Sequence, residues 1–422
     1  MKRVRSRFLA KRRGFTLVEL LVAIAAGSLV ASAAVLLSRN AVRIFQEEAR
    51  IAYAQVAVTT GLNRIGVDLE HAGRNSTRNP FTDRRLCALA NMSDWPIGMK
   101  KLAPVVIEKV DDLPGYSDNP GVHTERITIA GDLDSGDNFV MNAPIPGANG
   151  PVVVLQPTSR AIRRLTALVA SGDIMTRLQE IFKAGRVLRI EGTTSDYYGM
   201  IKGFSASGNP LSNVSVQLEP VPFVPMQPLS NLTCAIKGFG SGWPVHVLSR
   251  VRYEIRSLVN DSNFDEYTKP INTVAGDGSR MELTRVELTP QDTEIPATLE
   301  LVTEFAVNLR FGITVQTNEL TGPVLTRYPI GDSFPNDIVY QNASAPALGN
   351  DKPEMVRAVQ VRLATRSRAA DRPRSITVSQ PLSAGRPPFS YKLSTALTSE
   401  KYARLRTVER EFSLVNTKGD GS

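Results

Sequence analysis

The chain has two cysteines and three histidines among 422 residues, which leaves little for thiolate or imidazole chemistry. Cys87 and Cys234 form no CxxC pair, which argues against a thiolate metal site or a thioredoxin-like redox site. His71, His123 and His246 show no HExxH or paired-ligand spacing, so the usual zinc signatures are missing too. No proline occurs before Pro80, so nothing ahead of it breaks a helix outright. No acidic residue precedes Gly14, whereas Lys2, Arg3, Arg5, Arg7, Lys11, Arg12 and Arg13 do. These seven account for most of the formal net charge of +9, and the remainder of the chain carries only +2. A body so close to neutral gives no global electrostatic case for nucleic acid. With 42% hydrophobic and 22% charged residues the chain is globular rather than disordered, and long enough for two ordinary domains or one large one.

Against this sparse background stands one apolar run. From Phe15 to Leu37 the only charge is Glu19, over about the length a bilayer core asks of a helix. The basic leader lies before the run, and the positive-inside tendency keeps it cytoplasmic, which places everything after Arg39 across the membrane. The helical pattern continues. Val42, Phe45, Ala49, Ala52 and Val56 form one stripe, and Val58, Leu62, Ile65, Leu69 and Ala72 a second. Arg43, Glu47, Glu48, Arg50, Arg64, Asp68 and Glu70 fill the other faces, Gly61 and Gly66 weaken the stretch, and Gly73 is the expected end. A helix from Phe15 to about Ala72 would measure about 85–90 Å, apolar all round at first and amphipathic afterwards.

The string "GFTLVE", Gly14 to Glu19, resembles the class III signal of type IV prepilins and pseudopilins. The resemblance implies a prepilin peptidase that cuts between Gly14 and Phe15, and N-methylation of the new Phe15 terminus. It also implies pairing of Glu19 with the terminal amine of a neighbouring subunit. A carboxylate unpaired in lipid is costly and a paired one much less so, which would make Glu19 a register mark for helices packing in a filament core. Ala23, Ala25, Ala26, Gly27, Ala31, Ala33 and Ala34 keep that helix thin enough for close packing.

The rest reads mainly as strands. Val247 to Ile255, Phe305 to Val315 and Val359 to Leu363 alternate apolar and polar residues as half-buried strands do, and "TVEREFSLVN" from Thr407 is the expected last strand. Shorter candidates are "APVVIEKV" from Ala103, "ERITIAG" from Glu125, "PVVVLQP" from Pro151, "RVLRIEG" from Arg186 and "NVSVQLEP" from Asn213, with one helix over Ser159 to Phe182. The closing strands from Leu299, Glu354 and Leu405 look like those of PilW-like minor pilins, as does "RIGVDLEHAGR" from Arg64. This chain departs where that family often places a cysteine soon after the helix: Cys87 follows the insertion "NSTRNPFTDRRL". If the body is exported, Cys87 and Cys234 fit one disulfide; two buried free thiols are the alternative, since spacing does not give proximity.

The expected fold class is α+β and pilin-like, with a long N-terminal helix packed on a mainly antiparallel β-sheet domain bearing large insertions. Its parts are a cleaved leader (1–14), a transmembrane or filament-core helix (15–38), an amphipathic half (39–73) and a periplasmic or extracellular β-rich domain (74–422). Within that domain, about 95–244 is a variable insertion and 245–416 holds the C-terminal strands. The resemblance implies a non-enzymatic minor pilin of the inner membrane and then the pilus. Its partners would be prepilin peptidase, the major pilin, other minor pilins and a tip adhesin. J-type pseudopilins of type II secretion share much of the pattern, and a membrane-anchored periplasmic enzyme or DNA receptor is the reading from another class.

Three stretches invite chemistry and read more simply. In "GDLDSGDNF", Asp132, Asp134 and Asp137 offer carboxylates, but glycine stands where an EF-hand needs a ligand and Ala143 where it needs the closing glutamate, so a turn is expected and no metal. "GFGSGW" from Gly238 lacks the following helix of a phosphate site. "RSRAADRPRS" from Arg366 clusters cations without aromatic residues for stacking, and reads as a solvated loop rather than a DNA contact. His71 and His246 read as ordinary surface or partly buried residues.

Overall fold

The computed structural model of the chain describes residues 15–86, 95–110, 113, 119, 122, 124–134, 136–168, 174–192, 195–208, 211–222, 241–259, 261–264, 266, 280–319, 322–330, 353–368, 390–393 and 402–417. Two compact units divide it, residues 1–52 and 53–422. The architecture is α+β, a long N-terminal helix followed by a mostly antiparallel β domain with insertions. Helix α1 (Leu17–Glu70) is the expected long helix, and the short α2 (Ile97–Lys100) follows. Next come β1 (Val105–Lys109), β2 (Glu125–Gly131), β3 (Phe139–Ile145) and β4 (Val152–Leu155). Helices α3 (Arg160–Leu168) and α4 (Ile174–Ile181) replace the single helix expected over Ser159 to Phe182. The sequence between them contains Ser171-Gly172-Asp173, residue types that favour a break. Strands β5 (Val187–Glu191), β6 (Asp196–Ser207), β7 (Asn213–Leu218), β8 (Pro244–Arg256), β9 (Glu282–Glu287) and β10 (Glu300–Glu304) come next. The chain closes with β11 (Ala306–Glu319), β12 (Gly322–Tyr328), β13 (Val356–Arg366), β14 (Ser390–Lys392) and β15 (Tyr402–Ser413).

Strand β8 belongs to two structures at once. Its first part, Pro244 to Leu248, pairs with β3 on one side and β5 on the other. Strands β3, β4, β7, β6 and β5 pair in that order, so with β8 they close a six-stranded antiparallel ring. One apolar cluster draws on all six strands and on Ile162, Leu165, Leu178 and Ile181 of the two helices. The second part of β8, Ser249 to Arg256, pairs with β2 and β9, and continues the sheet β1-β2-β8-β9-β10. A separate sheet runs β12-β11-β13-β15-β14.

Residues Val58, Leu62, Ile65, Leu69 and Ala72 are all buried, in one core with side chains of β1, β2, β8 and β9 from the first sheet and of β11, β13 and β15 from the second. The two glycines that weaken this part of the helix allow that contact. A Cβ at Gly66 would lie 2.3 Å from Cε1 of Phe412, and one at Gly61 would lie 2.7 Å from Cδ2 of Leu363 on β13. Gly73, at φ 73°, ends the helix and donates from its N–H to the Ala130 carbonyl, while Asn416 Nδ2 donates to the carbonyls of Glu70 and Ala72.

Three strands are more deeply buried than alternation predicts, and in β13 Gln360, expected on the outer face, is buried as well. In β8 the residues from Val245 to Val251 are buried on both faces, and alternation holds only from Val251 to Arg256. In β11 both faces are buried from Ala306 to Ile313. A register shift between Ala306 and Asn308 also moves Val307 out of the main core, into a cluster with Ala364 and Tyr391.

Candidate functional site

The helix begins with a capping box. Thr16 is the cap: its N–H and hydroxyl both donate to Glu19 Oε2, at 2.9 and 3.0 Å, while the Glu19 N–H donates to Thr16 Oγ1 at 3.2 Å. Glu19 is therefore not bare in the single chain, as the sequence suggests, because its own helix start satisfies part of it. Every residue from Leu17 to Gln46 is exposed, and the most apolar window in this helix has a mean hydropathy of 2.5. The hydroxyls of Ser28 and Ser32 donate to the helix carbonyls of Ala25 and Ser28, at 2.9 and 2.7 Å, so the apolar stretch leaves neither of them unpaired. Phe15 is 83% exposed, and Gly14 lies outside the described residues.

In the unit formed by residues 53–422, helix carbonyls and one carboxylate meet the sheets. Thr365 Oγ1 donates to the Ala54 carbonyl at 2.9 Å and Thr303 Oγ1 to the Ala57 carbonyl at 2.8 Å. Asp68, expected on a polar face, is 2% exposed. Its Oδ2 accepts from the Tyr253 hydroxyl at 2.7 Å and from Arg285 Nε at 2.8 Å, and its Oδ1 accepts from Arg64 at 3.2 Å. Glu300 completes the group, accepting from Arg64 Nε and Nη2, both at 3.2 Å. Burial, then the adjacent Asp68 charge, pushes the Tyr253 phenol well above its ordinary range. Helix phase could have exposed this site, since position 68 follows Ile65 by three residues and precedes Leu69 on the buried side. Glu125 gave no such signal. It is buried, pairs with Arg310 at 2.8 Å, and accepts from the Phe311 N–H.

The other candidates resolve into structure. Asp132, Asp134 and Asp137 turn to separate arginines, Arg74, Arg186 and Arg164, and the Gly136 N–H donates to Asp132. Among the described residues no group of three His, Cys, Asp or Glu side chains could hold a metal ion. His246 corrects its surface reading. It is 2% exposed, with Nε2 3.4 Å from Glu191, and burial followed by the charge of Arg189 holds its pKa below the usual histidine value. Arg366 is not part of a solvated loop; it ends β13, is 1% exposed and lies over the rings of Phe305 and Tyr391. His123, Cys87, Cys234, residues 238–240 and residues 369–375 lie outside the described residues, and so does the pairing expected of the cysteines.

Residues 9–35 match the family model of the prokaryotic N-terminal methylation motif, a span that contains Gly14, Phe15 and Glu19. Compared with curated proteins and with solved structures, the chain finds no match. Motif and apolar helix together mark a type IV pilin-like chain with a single-pass membrane anchor. The motif supports a pilin- or pseudopilin-like role, and it implies processing by prepilin peptidase and pilin-type assembly partners in general.

Proposed function

We propose that the chain is a PilW-like minor pilin of a type IV pilus. It sits in the inner membrane with its leader (1–14) in the cytoplasm, and prepilin peptidase cuts it between Gly14 and Phe15 and methylates Phe15. Residues 15–38 then join the filament core, and 39–73 and the domain at 74–422 follow on the periplasmic side. With other minor pilins it primes assembly, at the filament tip, where its large insertions present surface to an adhesin and to partner subunits. Glu19 pairs there with the methylated amine of a neighbour. The observation that carries this reading is the methylation motif over residues 9–35, which runs directly into an apolar helix. Support for Glu19 comes from its geometry, since both Thr16 bonds use Oε2. The same motif serves pseudopilins, so a J-type subunit of type II secretion is the second reading.

The test is intact-mass and N-terminal peptide analysis of the protein from membranes and from sheared pili, with and without the peptidase. A methylated Phe15 terminus in both fractions, lost without the peptidase, is expected. A terminus at Met1 would sink the proposal. Processed protein in membranes of cells that carry only a type II secretion machine would favour the pseudopilin.

A further inference from the structure

Helix residues 54–72 are held by features that work in only one axial position. Asp68 is the attractive one, with Arg285 and Tyr253 at 2.8 and 2.7 Å and all three buried. Gly61 and Gly66 are steric notches, against Leu363 and Phe412. Thr303 and Thr365 tie helix carbonyls to β10 and β13, and Asn416 ties those at the end. A slide of one turn, about 5.4 Å, undoes all of this. It would set Arg64 or Ala72 in the place of Asp68, and Leu62 or Glu70 in the place of Gly66. The first leaves a buried arginine facing a cation or nothing, and the second drives a Cβ into the Phe412 ring.

We propose that this set is a register lock, which fixes the helix at one depth between two sheets and passes axial load from the helix into both. Buried ion pairs contribute little net stability against apolar substitutes, but they cost much to break and specify position well. That is what a helix pulled along its axis needs. Hydrophobic contact is non-directional and resists sliding poorly, whereas a charge leaving its partners, and a notch leaving its ring, resist it from the first ångström. The need for such a lock rests on the pilin reading, in which a filament transmits force through this helix.

The experiment is an optical-trap measurement on the full chain in detergent, with handles attached through non-natural residues at Asn40 and Glu409. This loads the helix against β15 in shear. Asp68→Asn is compared with Glu287→Gln, which breaks a buried pair whose partners, Arg186 and Lys183, lie outside α1. Both variants are also unfolded in denaturant. Under fixed load Asp68→Asn is expected to unfold at least about tenfold faster than its denaturant stability accounts for, and Glu287→Gln is expected to show no such excess. If the two variants fall on one relation between load and stability, the lock is refuted. Should Asp68→Asn not fold, Thr303→Val carries the same comparison by the same criterion. The pilin reading fails separately, at the mass of the Phe15 terminus.

Discussion

Helix α1 carries two apolar stripes, and they meet opposite fates. Val42, Phe45 and Val56 of the first are 52%, 75% and 65% exposed, whereas Val58, Leu62, Ile65, Leu69 and Ala72 of the second are buried to 2% or less. Periodicity alone does not tell these apart, because it reports a face and not what covers it. The charges beside them do not either, since Arg43, Glu47, Glu48 and Arg50 flank the first stripe as Arg64, Asp68 and Glu70 flank the second; the partners that each part of the helix is built for do. Ahead of Leu37 the helix is apolar all round with the single charge of Glu19, a composition fit for lipid or for other helices. Beyond Val56 the buried stripe is accompanied by Gly61, Gly66 and Asp68, each fitted to particular side chains of the domain. The upper half accommodates a generic apolar surrounding and the lower half one specific domain.

The largest way to break the comparison acts at the start of the upper half. Gly14→Val puts a branched side chain at the cut site, and complete loss of the methylated Phe15 form is expected by intact mass, with the domain still folded by circular dichroism. A normally processed Gly14→Val protein would remove the upper half's claim to a peptidase. The next test sets glycine against glycine. Gly27→Ala meets no atom within 4 Å and leaves the domain's denaturation midpoint unchanged, while Gly66→Ala meets Phe412 and lowers stability by about 1–3 kcal/mol. Equal effects at the two positions would mean that helix propensity, and not fit, sets the role of these glycines.

Much of the fold is legible without coordinates, and the parts that are not share a cause. The long helix, the α+β class and strands such as β2 and β7 follow from period and composition. Strand β9, "ELTRVE", does not read as a strand because three of its six residues are charged, yet every one of them is buried. Glu282 pairs with Arg280, Arg285 with Asp68 and Glu287 with Arg186, so one charge is satisfied by a residue two positions back and the others by residues far away in sequence. Strand β3 is masked by Pro144 and β6 by Gly199 and Gly203, with a register shift between Ile201 and Gly203. Closure of the six-stranded ring depends on β5 meeting β8, a pairing with no local trace. At the candidate site the methylation motif is legible because it is a linear string, and the Asp68 group is hidden because only folding assembles it.

The smallest effect concerns pH, and it separates the halves again. Leu20 to Leu37 contains no titratable side chain, so that stretch makes no acid response of its own. Burial, then the charge of Arg189, depresses the His246 pKa in the folded state, against opposition from Glu191 and Asp132. A base with a depressed folded pKa binds fewer protons folded than unfolded, so stability rises with pH across that window and is lost as pH falls from about 6.5. One group of this kind sets a slope of at most about 1.4 kcal/mol per pH unit. Glu287 and Asp292 lose their contributions further down. Burial alone would raise their pKa values, but the hydrogen bonds and charges of Arg186 and Lys183 on one, and of Arg250 and Lys101 on the other, hold them below the carboxylate range. Stability measured from pH 7.5 downwards should therefore begin to fall before the carboxylates titrate. In His246→Gln that early fall should vanish while the later one remains. An unchanged early slope in the variant would mean that the first protons enter elsewhere in the body, and that the buried imidazole already has its charge balanced by Glu191.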